Sequence, residues 1–219
     1  MKVNTDGVLL GVMAEAESPQ NVLDIGTGTG VIALILAQRF PSAKITAVEI
    51  DEKAAFTAAN NFSDSIFNSR LKLFHSSFED YSRQSSNKKF DLIVSNPPFF
   101  IDSLRSDNAL KGIARHTDQT FFETLLHDSA RHLEKNGQFI LIVPLTISKM
   151  VEKLGLTAGL YLQKKISIRS FSDSAPHREI ISLGFTHNNA ECGNFVIYEK
   201  PKVYSEEYQA LLKDFFTIF

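Results

Sequence analysis

Two short segments of the sequence combine residue types that could carry out chemistry. The first reads SNPPFF at 95–100 and directly follows the apolar run at 90–94. A strand cannot continue through two prolines, because each fixes its own φ and lacks an amide donor, so the chain leaves the sheet at Asn96. The sequence therefore predicts an amide held in a rigid turn beside aromatic rings.

This turn suits the methylation of an amine that is conjugated to an aromatic ring. Such an amine is a poor nucleophile, because its lone pair is delocalised into the ring. The side-chain oxygen of Asn96 and the backbone carbonyl of Pro97 could accept the two amine hydrogens and favour a pyramidal nitrogen, whose lone pair then faces a methyl donor. These contacts strengthen as positive charge develops. Pro98 keeps the turn rigid, and Phe99 could stack on the flat target, which is worth about 1–3 kcal/mol per base in nucleic-acid complexes.

The second segment is a glycine-rich turn with the sequence DIGTGTG at 24–30. Gly26, Gly28 and Gly30 follow an apolar run, at a point where a backbone must approach a ligand closely. The dinucleotide fingerprint G-x-G-x-x-G would require a glycine at position 31, where this chain has Val31. The mismatch argues against a nicotinamide or flavin cofactor.

Glu49 closes the next apolar run and completes the candidate binding site. In folds of this kind, a carboxylate at such a position accepts hydrogen bonds from both ribose hydroxyls of a nucleotide cofactor. Its two acceptor oxygens match the two donors. Taken alone, Glu49 could equally be a surface acid before a helix, but the glycine turn that precedes it favours the binding role.

The segments around these residues alternate between short apolar runs and stretches with helical character, which predicts a βαβ fold. Strands are predicted at 21–26, 43–50, 71–76, 90–95 and 138–144 and near 160–170, 179–187 and 194–199, and helices at 31–40, 51–62, 120–135 and 145–156. Loops are expected at 82–89 and 101–118. Together these elements predict a doubly wound, mostly parallel sheet whose ligand sites lie at the carboxyl ends of the strands.

Length and composition predict one globular domain, because 219 residues suffice for a single well-buried core. No uninterrupted apolar stretch approaches the roughly 20 residues that a membrane span needs. The first residues lack the basic lead and cleavage site of a signal peptide, so we expect a cytoplasmic protein and no membrane contact. Cys192 is the single cysteine, which excludes an internal disulfide framework and a multi-cysteine metal site, and we expect no metal.

The net charge of -2 gives no global basic field that would attract nucleic acid. A nucleic-acid partner would therefore need a local patch. Residues 149–202 carry eight basic and five acidic side chains and are the candidate for such a patch.

Both motifs resemble those of known methyltransferases. D-x-G-x-G-x-G resembles motif I of the seven-stranded S-adenosylmethionine-dependent methyltransferases, whose glycines accommodate the methionine half of the cofactor. NPPF resembles motif IV of amino-methyltransferases, whose targets include adenine, cytosine, guanine and the glutamine amide. The resemblance implies a Rossmann-like class I fold with a seven-stranded sheet and an antiparallel edge, and S-adenosyl-L-methionine as the cofactor. In many relatives an Asp after the third strand binds the cofactor adenine, and the matching position here is Ser77.

A closer resemblance connects stretches along the whole chain to the bacterial tRNA(Val) adenine-37 N6-methyltransferases. The stretches are MKVNTDGVLLG (1–11), NPPFF (96–100), ARHT (114–117), PHRE (176–179) and YSEEYQALLKDFF (204–216). The resemblance implies N6-methylation of an adenine in the tRNA anticodon loop, with tRNA as the partner, and we expect a monomer. The chain departs from the family in having Asn4 instead of glycine and Phe99 and Phe100 where tyrosines are common. The segment that normally precedes MKV also has no counterpart.

The resemblance assigns roles residue by residue. The catalytic residues would be Asn96, Pro97, Pro98 and Phe99, and the cofactor would contact Thr5, Asp6, Asp24, Gly26, Gly28, Gly30, Glu49, Ile50, Ser77, Phe78 and Asn96. Phe100, Arg115, His116, His177 and Arg178 would flank the cleft, where they could bind phosphate or position the nucleotide, or equally hold their loops by hydrogen bonds. No histidine is assigned a catalytic role, because the amine can lose its proton after transfer.

The chain is expected to form a single domain, 1–219, in which successive segments have different roles. Residues 1–20 would form a lead-in near the cofactor, 21–144 the cofactor-binding and catalytic core, and 145–219 the rest of the sheet and a terminal helix. Other target amines are also compatible with the motifs, namely a release-factor glutamine, guanine in ribosomal RNA and adenine in DNA. Release-factor enzymes usually carry a separate helical domain, for which 219 residues leave no room. A non-catalytic cofactor-binding module is a further class, against which the two intact motifs speak.

Overall fold

The structure is a computed structural model that describes residues 4–98 and 108–215, with the backbone alone for 108–118. The helices are α1 (Thr5–Met13), α2 (Val31–Arg39), α3 (Glu52–Asp64), α4 (Phe78–Gln84), α5 (Asn108–His132), α6 (Leu145–Thr157) and α7 (Glu206–Leu212). The strands are β1 (Asn21–Ile25), β2 (Lys44–Glu49), β3 (Leu71–His75), β4 (Phe90–Ser95), β5 (Leu133–Pro144), β6 (Tyr161–Arg169), β7 (Arg178–Gly184), β8 (Glu191–Val196), β9 (Tyr198–Lys200) and β10 (Val203–Tyr204). None of the described helices is long and apolar enough to cross a membrane.

Eight of the described strands form one sheet in the order β3-β2-β1-β4-β5-β7-β6-β8, and β9 pairs with β10 beside it. The strands run parallel except for β7, which is antiparallel to both β5 and β6. From β1 the chain winds outward through β2 and β3 on one side and through β4 and β5 on the other. The sheet is therefore doubly wound, with a topological switch point between β1 and β4 where ligands bind in such folds.

Helices cover both faces of the sheet, and its strands β1, β2, β4, β5 and β7 are largely buried. Leu92 and Val94 of β4 pack in the core shared with α1 and α2, whereas Ile93 packs in the core shared with α5 and α6. Such alternation follows from the two-residue period of a strand. Strands buried on both faces are continuously apolar, which is why the sequence reveals them so clearly.

The first helix has unusual surroundings for an N-terminal element. Six consecutive residues of α1, from Gly7 to Val12, are buried. Its carboxyl end is held by Arg39, whose guanidinium donates hydrogen bonds to the carbonyls of Gly11 and Ala14, at 2.8 and 2.5 Å. These bonds satisfy carbonyl groups that the end of a helix leaves without partners. The helix is thereby fixed against the first βαβ unit and can form a wall of a site.

The structure differs from the predicted elements in several places, one of which is the strand predicted near 194–199, which is divided between β8 and β9. Helices α1 and α4 were not predicted, and α4 takes up the first residues of the expected loop at 82–89. The expected loop at 101–118 is wrong from residue 108 onward, since α5 begins at Asn108. Its first turns contain good helix formers without a regular apolar period, so that only propensity could have revealed them. Strand β5 begins at residue 133, because Leu133 already pairs with Phe90, and the preceding helix is correspondingly shorter.

The sheet confirms the predicted mixed architecture, with some differences in detail. It contains eight described strands where the resemblance implied seven, and β8, which overlaps the strand predicted near 194–199, adds in parallel to the outer side of β6. The antiparallel strand β7 does not form the outermost edge but is inserted between β5 and β6. The short β6-to-β7 connection forms a hairpin, which requires the antiparallel direction.

We predict that Gly30 contributes strongly to stability. It precedes α2 with a φ of 88°, and an added Cβ would lie 2.5 Å from Cε1 of Phe62. Gly159 shares the positive φ, at 79°, but has open space where a Cβ would be. Gly159→Ala should therefore lower the free energy of unfolding by about 1 kcal/mol, from backbone strain alone. Gly30→Ala adds the clash with Phe62 and should lower it by roughly 2–4 kcal/mol. Urea unfolding of both variants measures the difference, and equal losses would contradict the predicted clash.

Candidate active site

A cleft of about 740 Å³ opens at the carboxyl ends of β1, β2, β3 and β4. Its walls are the turns that follow these strands, at residues 25–29, 49–51, 76–79 and 95–98. Residues of α1 and α5 close the sides, among them Phe121 and Leu125. A volume of this size is typical of sites for small molecules and cofactors, about 300–1,000 Å³.

Glu49 determines the shape of the glycine turn. Its Oε2 accepts a hydrogen bond from the N–H of Gly28 at 2.7 Å, and its Oε1 accepts one from the N–H of Asp51 at 2.8 Å. The side chain is only 8% exposed, and the two backbone donors offset the free-energy cost of burying its charge. Each carboxylate oxygen has a further lone pair, so Glu49 can also accept hydrogen bonds from a ligand in the cleft.

Asp24 lies behind the glycine turn rather than in the cleft wall. It is fully buried, and its Oδ2 accepts a 2.5 Å hydrogen bond from the hydroxyl of Thr27. Its Oδ1 makes no hydrogen bond of regular geometry with the described residues. Burial raises the pKa of Asp24 to about 7, although the Thr27 hydroxyl and the backbone of Ala33 lower it, while the charge of Glu49 raises it further. A cation bound near this turn would favour the ionised form.

The N-terminus of α1 lies against the fourth-strand turn. Asn4 caps the helix, since its Oδ1 accepts a hydrogen bond from the N–H of Gly7 at 2.8 Å. A glycine at position 4 would provide no such side-chain cap, so this departure from the family supplies a helix-stabilising contact. A Cβ on Gly7 would lie 3.7 Å from Nδ2 of Asn96, which places that amide next to the first turn of α1.

An ion pair joins α1 to β7 at the cleft. Nε of Arg178 donates a 2.8 Å hydrogen bond to Oδ2 of Asp6, and both residues line the cleft. Burial and the nearby Arg178 lower the pKa of His177, while Asp6 raises it, so the imidazole is mostly neutral at pH 7. The N-terminal segment and the PHRE segment are thereby held together, although about 170 positions separate them in the sequence.

The fourth-strand turn presents its amide to the cleft. Ser95 ends β4, and its hydroxyl donates a 3.0 Å hydrogen bond to the carbonyl of Ile25, which fastens the turn to β1. Asn96 is half-buried, and its side-chain amide makes no hydrogen bond with the described residues. Pro97 is buried and Pro98 is exposed, and both line the cleft. The residues that the sequence predicts as acceptors for the target amine are therefore part of the cleft wall.

Two adjacent serines at the end of β3 have different roles. The Ser77 hydroxyl caps α4, since it accepts a hydrogen bond from the N–H of Asp80 and donates one to the Asp80 carboxylate, both at 3.0 Å. Ser76 also lines the cleft, and its buried hydroxyl has no hydrogen-bond partner among the described residues. Ser76 was not among the predicted site residues. Strand register could have indicated it, because Glu49 pairs with His75, so Ser76 follows β3 as Ile50 follows β2.

Most of the predicted site residues meet in this cleft. Its lining includes Asp6, Gly26, Gly28, Glu49, Ile50, Ser77, Phe78, Asn96, Pro97, Pro98 and Arg178. Thr5, Asp24, Gly30 and His177 do not line it. Phe99 and Phe100 lie outside the described residues, as do the side chains of Arg115 and His116, whose backbone belongs to α5. The described residues contain no group of three or more His, Cys, Asp or Glu side chains that could hold a metal ion.

Comparison with known proteins gives full-length similarity to one kind of enzyme. Residues 4–155 match the methyltransferase small domain. A tRNA1(Val) (adenine(37)-N6)-methyltransferase from Pedobacter heparinus is 46% identical over 219 residues, which cover 100% of this chain and 92% of that protein. An enzyme with the same name from Bacteroides fragilis is 38% identical over 216 residues, covering 99% of this chain and 91% of that protein. The chain belongs to this methyltransferase family.

Solved structures of more distant methyltransferases share the fold. A predicted O-methyltransferase from Agrobacterium tumefaciens has a TM-score of 0.71 at 15% identity, covering 95% of this chain and 96% of that one. A glycopeptide N-methyltransferase complexed with S-adenosyl-L-methionine has a TM-score of 0.55 at 12% identity, covering 76% and 87%. These likenesses confirm the Rossmann-like methyltransferase fold.

The residues of the cleft fit the cofactor of such a methyltransferase. The cofactor carries ribose hydroxyls, an amino-substituted adenine and a positively charged methionine portion. Glu49 offers acceptors for hydroxyls, and the unpaired hydroxyl of Ser76 offers a further hydrogen-bonding group. The buried carboxyl of Asp24 lies behind the glycine turn, and a cation bound near the turn would favour its ionised form.

We predict that Asp24 makes stability depend on pH in the absence of the cofactor. The pKa of Asp24 is about 7 in the folded state, compared with an ordinary value of 3.8. The protonated carboxyl therefore stabilises the fold at low pH, and this stabilisation is lost as the pH rises through 7. Between pH 4 and pH 8, the free energy of unfolding of the wild type should fall by up to about 4 kcal/mol relative to that of Asp24→Asn. Urea unfolding across this range measures the difference. Asp64→Asn, which changes an exposed carboxylate, is the control, and curves for Asp24→Asn that run parallel to the wild type would contradict the prediction.

Proposed function

We propose that this protein transfers the methyl group of S-adenosyl-L-methionine to the N6 amine of adenine 37 in tRNA1(Val). The observation that carries the proposal is that the glycine turn, Glu49 and the Asn96-Pro97 turn line one cleft. The substrate follows from the names of the relatives that the chain matches along almost its whole length. This similarity favours adenine in tRNA over the other amines that an NPPF motif serves.

One half of the cleft would hold the cofactor. Glu49 would accept hydrogen bonds from the ribose hydroxyls while its other lone pairs keep the N–H groups of Gly28 and Asp51. Ser76 would bind the adenine side, since its hydroxyl is buried and unpaired. Ile50 is 70% exposed, and a bound adenine would cover part of its apolar surface and remove that part from water. When bound, the cofactor supplies an activated methyl group on a sulfonium.

The other half would hold the target amine. The Asn96 side-chain oxygen and the Pro97 carbonyl would accept the two amine hydrogens, which leaves the nitrogen lone pair directed at the methyl group. The hydrogen bonds strengthen as the nitrogen becomes positive, so they stabilise the transition state more than the bound substrate. The surplus proton leaves after transfer, and no general base is assigned. Stacking of the target on Phe99 stays a prediction.

The proposal extends to the setting of the reaction. The adenine must leave the stack of its loop to enter the cleft, as enzymes that modify a base generally require. We propose that the chain acts as a single domain and as a monomer in the cytoplasm, where tRNA is modified. Arg178 would contact the nucleotide next to the target, from a position fixed by its ion pair with Asp6.

We predict that Asn96→Ala lowers the methyl-transfer rate at least about 10³-fold, because the amine loses one of its two acceptors. Its affinity for S-adenosyl-L-methionine, measured by calorimetry, should stay near the wild-type value. Asn87→Ala removes the same side chain from an exposed loop at the opposite edge of the sheet and should transfer at the wild-type rate.

The substrate for this comparison is an unmodified tRNA1(Val) transcript, and a second transcript with guanine at position 37 tests the target. Wild-type enzyme should methylate only the adenine transcript. Undiminished transfer by Asn96→Ala would refute the role of the amide, and equal methylation of both transcripts would refute the target.

We also predict opposite effects for the adjacent serines. Ser76→Ala should weaken cofactor binding roughly 5- to 10-fold without lowering stability, because it removes a hydroxyl that bonds only to the ligand. Ser77→Ala should lower the free energy of unfolding by about 1 kcal/mol, because it removes the cap of α4. Calorimetry with the cofactor and urea unfolding measure both properties for both variants. Unchanged cofactor affinity of Ser76→Ala would show that the hydroxyl does not bind the cofactor.

A further inference from the structure

The carboxyl edge of the sheet continues beyond the cleft. Strands β6 and β8 run in the same direction as β4 and β5, so their carboxyl ends lie at the edge that carries the Asn96 turn. Four strand spacings separate β4 from β8, which amounts to roughly 19 Å at about 4.8 Å per strand. We call the exposed segments at this end the flanking strip, and its members are Phe171, His177, Tyr198, Lys200 and Lys202.

A row of aromatic rings extends through the flanking strip. Tyr208 and Tyr204 stack at 4.6 Å, Tyr204 and Tyr198 stack at 5.0 Å, and Phe171 meets Tyr198 at 5.7 Å. Tyr208 is only 7% exposed, whereas Phe171 at the other end of the row is half-buried. The row therefore connects the apolar core with a ring at the surface.

The loop that carries Phe171 is held in place by hydrogen bonds. The hydroxyl of Ser174 accepts a bond from the N–H of Phe171 at 2.9 Å and donates one to its carbonyl at 2.8 Å. The guanidinium of Arg169 donates a 2.7 Å bond to the Ser174 carbonyl. A ring in such a fixed loop loses little conformational entropy when it binds a flat partner.

Two lysines extend the flanking strip on the β9–β10 hairpin. The side chains of Lys200 and Lys202 are exposed and make no hydrogen bond or ion pair with the described residues. Lys202 has a φ of 66°, in the left-handed region that favours glycine or asparagine.

The charge of the flanking strip is small. The exposed carboxylate of Glu199 directly precedes Lys200 in the sequence, and that of Asp173 lies two positions after Phe171. His177 adds little charge because burial lowers its pKa. A partner bound by charge alone would need a stronger field. Rings and a few cations along one edge suit instead a single strand of nucleic acid, whose bases stack and whose phosphates need modest neutralisation.

We propose that the flanking strip binds the RNA strand next to the target adenine, with a base stacked on Phe171 and phosphates near Lys200 and Lys202. This inference rests on the proposed function. Removal of the target from its stack leaves a neighbouring base with one uncovered face, and the ring of Phe171 replaces the lost stacking partner. The strip thus holds the strand while the adenine occupies the cleft, and it takes no part in the chemistry.

The test measures binding and transfer separately, with an unmodified tRNA1(Val) transcript as the probe. Phe171→Leu keeps apolar contact with Tyr198 but lacks a flat ring, and Phe171→Tyr keeps the ring. Phe171→Leu should weaken tRNA binding about tenfold, and Phe171→Tyr should bind as the wild type does. Cofactor affinity and the transfer rate at saturating tRNA should stay within about twofold of the wild type in both variants.

The lysines are tested by charge removal at the two edges of the sheet. The Lys200→Gln, Lys202→Gln double variant should bind tRNA about tenfold more weakly and reduce the salt slope of log Kd by about 2. The Lys44→Gln, Lys135→Gln double variant removes the same charge from exposed sites at the opposite edge and should behave as the wild type. Because all four lysines are exposed, this comparison stands even if Phe171→Leu fails to fold.

The outcomes separate the two proposals. The wild-type enzyme could be active while Phe171→Leu and the Lys200→Gln, Lys202→Gln double variant both bind tRNA with wild-type affinity. This result would refute the role of the flanking strip in RNA binding and leave the proposed function intact. Equal loss of binding in the Lys44→Gln, Lys135→Gln control would likewise overturn it. Absence of methyl transfer from wild-type enzyme to the transcript would overturn the proposed function itself.

Discussion

The buried carboxylate of Glu49 is the interaction on which the geometry of the site depends. It accepts hydrogen bonds from the N–H groups of Gly28 and Asp51, and so connects the turn after β1 with the start of α3. A carboxylate that is 8% exposed needs such donors, and the turn needs acceptors for its own N–H groups. One side chain thereby organises the backbone that faces the ligand and offers lone pairs to the ligand itself.

The parallel sheet brings the two motifs together. Ile25 of β1 pairs with Ser95 of β4, and the Ser95 hydroxyl is bonded to the Ile25 carbonyl, so both strands end at the same level. The glycines and residues 96–98 then leave the sheet side by side, although about 70 residues separate the two segments in the sequence. The prolines end β4 at this point because they cannot continue the hydrogen-bond ladder. Helix α1, held to β7 by the ion pair between Asp6 and Arg178, adds the remaining wall.

The sequence was most informative where local chemistry and fold agree. Strand β4 spans the predicted residues, because most of its side chains are apolar and buried and prolines mark its end. Helix α1 could not be recognised by periodicity, since its residues 7–12 are all buried and leave no polar face. The roles of Ser76 and Ser77 also depend on the structure. Whether a serine hydroxyl caps a helix or faces a cleft is decided by the exit direction of β3, which composition and spacing do not encode.

The most direct test of the proposed function is the modification state of tRNA in a strain that lacks the gene. Purified tRNA1(Val) would be digested with a nuclease, and the fragment that contains position 37 would be analysed by mass spectrometry. We expect N6-methyladenosine at position 37 in the parent strain, unmodified adenosine in the deletion strain, and restored methylation when the wild-type gene is returned. An unchanged level of N6-methyladenosine at this position in the deletion strain would contradict the account.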